Sequence, residues 1–453
     1  MDLRYWFLTL SLYLYAVQVE AGPPLMPLDL DPSFAGDGTL IVEPGTRAIA
    51  HAGLIDEAGE ILVFGEADNG NPSFREAWFH RILGDGTVVP LGRYGASSPG
   101  CGSPRTFLTG IRLSNGDYLG AGYVQEGCSG IPRKFNALQL TPGGLQVEEF
   151  DRVAFNNERA YIYALGEQSD GGIVAVGFAD QDFQDVSTFD IAVARFTTAG
   201  DLDPSFGTGG TFTFDRANDL DWANDVVIDS ADRILIAGYA RSTAGDQDWM
   251  VLRLTPDGSL DTTFNGTGAF FYDGAGQDES VTSIDLAPGG RILGGGGLRA
   301  SAGAPSAVVF ALTADGILDT GFANNGIAAV DLGNTDAAVS DIHYDAGRIY
   351  VSGISRPAGG AREDYDAAVT VLRSNGWPNP FFNGGAPRVF AFDAALGLQA
   401  DLPQSIDVSD DGEQIVITGY TDNPDRTRQR FGIARFIGLE NALFADGFEG
   451  GAP

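Results

Sequence analysis

The chain has 453 residues, with 61 acidic against 27 basic side chains and a formal net charge of −34 at pH 7. So acidic a surface has no basic patch with which to release counterions, which excludes nucleic acid and anionic membrane as partners. A hydrophobic fraction of 43% with 11% aromatics excludes a disordered chain, and although the length suggests two or three domains, internal repetition overrides that expectation.

At the N-terminus Arg4 precedes an apolar run over residues 5–17, and Val19-Glu20-Ala21 puts small residues where a signal peptidase reads. Residues 1–21 are therefore expected to be a secretory signal cut after Ala21, and the protein to be secreted, periplasmic or at the cell surface. The run is shorter than the roughly 20 residues a spanning helix needs, so no membrane insertion is expected.

Seven units follow over residues 28–438. Their first marker is an apolar run ending in glycine, at 61–65, 118–122, 173–177, 234–238, 292–296, 349–353 and 415–419. A second marker follows each run after a loop, at 78–83, 135–140, 191–196, 249–254, 307–312, 367–372 and 431–436. The linker Leu-Asp-x-x-Phe is plain at 30–34, 202–206, 260–264 and 318–322, and worn at 378–382. Each unit reads as four strands: a (211–214), b (around 226–228), c (234–237) and d (249–254) in the clearest copy. Turn residues such as Ser114-Asn115-Gly116-Asp117 separate b from c, which makes them a hairpin.

Strand c decides the architecture. In Ile234-Leu235-Ile236 and Ile415-Val416-Ile417 successive residues are all apolar, so both faces must be covered. A two-layer sandwich leaves one face wet. Radially stacked sheets satisfy the pattern, which predicts an all-β fold: a seven-bladed β-propeller with four antiparallel strands per blade. An open solenoid is the alternative, but it needs capping repeats that neither end supplies.

The unit resembles the delta-60 repeat of secreted bacterial proteins in Leu-Asp-Pro-Ser-Phe-Gly-x-Gly-Gly (202–210), Arg-Ile-Leu-Ile-Ala-Gly (233–238) and Leu-Thr-Pro-Asp-Gly-Ser-Leu-Asp (254–261). That resemblance implies a propeller-type fold and transfers no catalytic residue. Residues 439–453 form a tail whose Phe444-Ala445-Asp446-Gly447-Phe448-Glu449 is similar to an ending of many exported proteobacterial proteins. It reads as a sorting signal or as a frayed terminus.

Alternating strand directions put the a–b and c–d loops on one face, and the b–c turns and d–a linkers on the other. The second face is stereotyped. The first varies, through c–d loops at 66–76, 178–189, 239–247, 354–365 and 420–430 and a–b loops at 92–105 and 394–404, so recognition is expected there. Strand a ends on an acid in six units: Glu43, Asp151, Asp215, Asp273, Asp331 and Asp393. With strand a innermost, these carboxylates would ring the central channel and offer oxygen ligands for a structural Ca²⁺ or a polycationic partner. The competing reading is that each caps its own turn. Reflecting the b–c hairpin about Asn115-Gly116 brings Cys128 close to Cys101, and a disulfide is expected.

The sequence carries no recognisable catalytic signature. His51, His80 and His343 stand at non-equivalent places with no zinc spacing, there is no Gly-x-Ser-x-Gly elbow, and the glycines at 294–297 precede no helix. Two functional classes stay open. One is a monomeric, non-catalytic binding or scaffold module whose variable face takes a protein, glycan or cell-surface ligand; the other is a glycan-active hydrolase or lyase with carboxylates near the channel mouth.

Overall fold

The seven repeats form seven four-stranded antiparallel sheets set radially around a channel. This is a computed structural model, and it describes residues 28–68, 75–95, 104–125, 133–155, 159–180, 189–217, 219–274, 278–299, 305–334, 336–356, 364–393, 400–422 and 428–438. The expected signal at 1–21, the tail at 439–453, Cys101 and Cys128 lie outside the described residues. Among those described, helical structure is limited to single turns at Pro288–Gly290 and Asn383–Gly385, and no helix is long and apolar enough to cross a membrane.

Blade 4 shows the strand order. The innermost strand is Asp221–Ile228, followed outward by Ile234–Arg241, Gln247–Leu254 and Ala269–Tyr272. Strand b is therefore innermost. Strand a, expected there, is the outermost strand of the preceding blade, as Thr211–Phe214 is in blade 3. The reason is an offset of one strand between the sequence repeat and the blade. Thr39–Val42 pairs with Gln429–Ile437, Thr39 opposite Ala434, so the first strand completes the last blade. The inner strands of blades 7 and 1 pack side by side, the wheel is closed, and the open solenoid is excluded.

Strand c buries both faces because each blade is packed between two others. Ile234 and Ile236 join Val174 and Val176 of blade 3, whereas Leu235 and Ala237 join Val281 and Ile284 of blade 5. The same division gives one apolar cluster at each blade interface among the described residues.

Each inner strand carries a bulge at one residue: His51, Leu108, Tyr163, Asn224, Thr282, Ser340 and Gln404. A bulge bends the strand and breaks its two-residue period. Opposite the residue before it stands the glycine that ends each apolar run, from Gly65 and Gly122 through Gly238 to Gly419. A Cβ at any of these seven glycines would run into an inner-strand carbonyl oxygen. The first sequence marker is thus a steric consequence of the bulge.

The linker motif also has a physical reading. Asp261 accepts the Thr263 N–H at 3.0 Å with one oxygen, closing the turn, and Nε of Arg253 at 2.8 Å with the other. Arg253 is only 2% exposed, and its guanidinium lies 4.8 Å from the centre of the buried Phe264 ring. Asp31 holds Arg435 over Phe34 in the same way, and Asp203 pairs with Arg195 in the linker whose Phe206 is buried.

Candidate functional site

The seven bulged residues line a central cavity of about 690 Å³ whose wall is uneven. Blades 1 to 3 contribute Leu54, Leu108, Ile111 and Leu165, whereas blades 4 to 7 contribute Asp225, Asp285, Asp341, His343 and Asp407. An innermost strand is an edge strand, and its free N–H groups need partners. The acids supply them across blade boundaries. Asp225 accepts from Ile284 N at 2.8 Å, Asp285 from Tyr344 N at 2.6 Å, Asp341 from Ile406 N at 2.8 Å, and Asp407 from Ile55 N at 2.7 Å. The last bond crosses the seam where the ring closes. These carboxylates act as clasps between blades.

Their depth has a pH consequence. Burial pushes Asp225 up to about 7, with the Asp341 charge adding to it, and pushes Asp341 up to about 6; Asp285 and Asp407 are raised by burial too. Asp221, Asp401 and Glu279, buried at the blade entrances, also rise to about 7. In the unfolded chain such groups ionise near about 4. Between about pH 4 and 7 the folded chain holds protons the unfolded chain has lost, so this stability is complete at the acid end and is lost as pH rises. His51, pushed down to about 3 by burial and Arg75, and His80, pushed down to about 4 by burial, act oppositely but are outnumbered. The melting temperature is expected to fall from about pH 5 to about pH 8 in chelator and about 0.5 M NaCl, where general charge repulsion is screened. A rise over that interval in calorimetry would contradict it.

None of the six strand-end acids borders the channel, because strand a is outermost. Glu43, Asp215, Asp273, Asp331 and Asp393 stand where outer strands end on the variable face. Asp215 accepts Ala217 N at 3.0 Å and Asp331 accepts Gly333 N at 2.8 Å, each capping its own turn. Arg430 lies 3.7 Å from Glu43 and 3.2 Å from Asp393. Asp151 sits lower, accepting Leu202 N of the blade 3 linker at 2.9 Å.

A different set of residues converges at the channel mouth. A cavity of about 440 Å³ spans blades 1 to 3, walled by Arg75, Arg133, Tyr123, Tyr161 and Tyr163 with Glu66 at its edge. Arg75 begins the third strand of blade 1 and Arg133 the third strand of blade 2, so the repeat places both guanidiniums at one level. Arg133 lies 4.8 Å from the Tyr123 ring and 5.4 Å from the Tyr161 ring, donates to the Tyr161 hydroxyl, and keeps a buried Nε without a hydrogen-bond partner. Tyr123 and Tyr161 meet edge to face at 4.7 Å. Arg75 pairs with Glu66, and burial together with the charges of Arg47 and Arg133 presses its pKa below the usual range even though Tyr123 counteracts. Sequence reasoning missed this pocket. The available signal was two arginines opening strand d in consecutive units of a chain so short of basic residues.

The family described as a domain of unknown function (DUF5122) β-propeller matches residues 168–206 and 231–264, within blades 3 and 4. No curated protein matches the chain in sequence. Among solved structures, TolB from Acinetobacter baumannii is similar at 12% identity over 83% of this chain and 79% of that one, with a TM-score of 0.38. A gluconolactonase from Xanthomonas campestris is similar at 12% identity over 92% and 99%, TM-score 0.37. Drosophila Semaphorin 1b, extracellular domains 1-2, is similar at 10% identity over 92% and 88%, TM-score 0.46. The likeness is one of fold alone.

Proposed function

We propose that this chain is an exported, non-catalytic propeller that binds an acidic glycan at the mouth of its channel. The observation that carries the reading is the convergence of Arg75 and Arg133 on a cavity walled by three tyrosines, in a chain of net charge −34. Guanidinium forks suit carboxylate or sulfate groups, and tyrosine faces suit the apolar faces of sugar rings. The buried, unpartnered Nε of Arg133 is a donor such a group would satisfy. Export rests on the apolar stretch at residues 5–17, and cell fractionation tests it.

Calorimetric titration with an oligouronate and with a neutral oligosaccharide of equal length is the direct test. The oligouronate should bind, the neutral sugar should not, and Arg133→Ala should weaken binding by about tenfold to a hundredfold, the worth of a charged hydrogen bond. Equal affinity for both sugars overturns the proposal. A glycan-active hydrolase or lyase using carboxylates at the channel mouth finds little support: the strand-end acids lie on the outer rim and the channel acids are engaged by backbone N–H groups. Release of reducing ends or unsaturated sugar in the same titration would favour that reading instead.

A further inference from the structure

The variable-face end of blade 4 gathers acids that neither the channel nor the arginine pocket uses. A tight turn, held by Gly245 N–H to Ser242 O at 2.9 Å and Ser242 N–H to Asp246 O at 2.8 Å, leads into the third strand. Asp246 and Asp248 are two residues apart and share one side of that strand. Tyr272 pairs with Trp249 across to the outer strand, which brings Asp273 up opposite Asp248. One carboxylate oxygen from each of Asp246, Asp248 and Asp273 lies within 4.8 Å of the other two.

A cluster of surface acids needs nothing more than water, but two buried groups here do. Asp248 is 3% exposed; its Oδ2 takes Arg216 at 2.6 Å, while its Oδ1 is buried with no hydrogen-bond partner. Glu279 is 1% exposed, and its backbone N–H donates to Gln247 O at 2.8 Å, one residue from Asp248. Its Oε1 lies beneath Gly274, next to Asp273, where even a Cβ on that glycine would stand 3.1 Å away. The Gly274 N–H favours the charged form from nearby, yet neither Glu279 oxygen closes a hydrogen bond. The equivalent acids of other blades each have a partner that Glu279 lacks: Asp221 accepts Arg216 N at 2.6 Å and Arg241 N at 3.1 Å, Asp401 accepts Phe392 N at 3.2 Å with one oxygen, and Asp336, though without a hydrogen bond, is paired with Arg356. A carboxylate buried with no partner beside three others must either hold a proton or be accompanied by a cation.

We infer that Asp246, Asp248 and Asp273 form a calcium-selective cation site, with Glu279 adding negative charge from behind. The donors are all oxygen, which suits a hard cation. Calcium accepts six to eight such ligands, water among them, in adaptable geometry, whereas magnesium demands a near-ideal octahedron that three spread carboxylates do not present. Arg216 holds Asp248 by one oxygen and leaves the other without a hydrogen-bond partner. A cation here would join the third and outer strands of blade 4 at the point where the chain departs for blade 5. The inference does not depend on the arginine pocket.

The test is terbium luminescence on the whole protein, with Trp249 and Tyr272, neighbours in sequence to two of the ligands, as sensitisers. One terbium should bind with sensitised emission, calcium should displace it, and magnesium at the same concentration should not. The double variant Asp246→Asn/Asp273→Asn, altered only at the partly exposed ligands, should bind at least about tenfold more weakly, since ligand charge sets calcium affinity. Glu279→Gln removes a buried charge, so without metal it should melt above the wild type at pH 8, and calcium should raise its melting temperature less. Arg133→Ala should bind terbium as the wild type does. Equal competition by magnesium, unchanged binding in the double variant, or a metal-free Glu279→Gln protein melting below the wild type would each overturn the inference.

Discussion

Gly238→Ala is expected to destabilise the propeller by about 3 kcal/mol, toward the upper end for forcing atoms into a filled interior. Gly238 pairs with Ala223, just before the bulge at Asn224, and a Cβ there would be driven into the Trp222 carbonyl oxygen. That oxygen belongs to backbone, so no side chain can swing aside. Relief requires the bulge itself to shift, and with it the channel wall that Asn224 and Asp225 form. Urea unfolding followed by tryptophan fluorescence measures the change, and Gly84→Ala is the control. Gly84 adopts no left-handed conformation, and its nearest neighbour to an added Cβ, an Arg435 nitrogen, stands at 3.9 Å. A control effect as large as that of Gly238→Ala would remove the steric account of the repeat.

Asp261→Ala should cost a similar amount, about 3 to 5 kcal/mol, for a different reason. Arg253 would keep its place with 2% exposure, its bond to Thr263 Oγ at 2.9 Å and its contact with the Ala314 carbonyl, but no countercharge. The penalty is that of an unbalanced buried cation rather than the loss of one attractive contact. The double replacement Arg253→Met/Asp261→Leu, which removes both charges, should therefore recover most of the stability. If the double variant is no more stable than Asp261→Ala, the effect belongs to the turn that Asp261 closes and not to the ion pair.

Much of the scaffold was legible because the repeat exposes its constraints seven times. The two-sided apolar run of strand c, the glycine that ends it and the Asp and Phe of the linker each correspond to a contact now visible at Ile234, Gly238, Asp261 and Phe264. The innermost strand was misassigned because a cyclic repeat does not reveal where a blade begins. Only the pairing of Thr39–Val42 with Gln429–Ile437 fixes that phase. Asp225, Asp285, Asp341 and Asp407 were hidden by the bulges, which reverse the parity of side chains partway along strand b and blur its alternation. The arginine and tyrosine pocket was hidden because its members come from three blades, and adjacency between them exists only once the wheel is assembled. Asp246, Asp248 and Asp273 occur within one sequence unit and its successor, so they were visible as residues. What the sequence lacked was the burial that singles out Glu279 behind them.

Thr39 and Ala434 face each other although nearly the whole polypeptide separates them. On a ribosome, the early blades have their partners long before the last residues are made, while Leu40 and Val42 wait with nothing to pair against. Nascent chains should therefore linger as an incomplete arc with two raw flanks, vulnerable to sticking edge to edge until the final strand arrives. A stop just before Gln429 would spare the inner strands of blade 7 but remove the partner of Thr39–Val42, so even a short deletion at the far end should weaken the closure of the whole wheel rather than one blade alone.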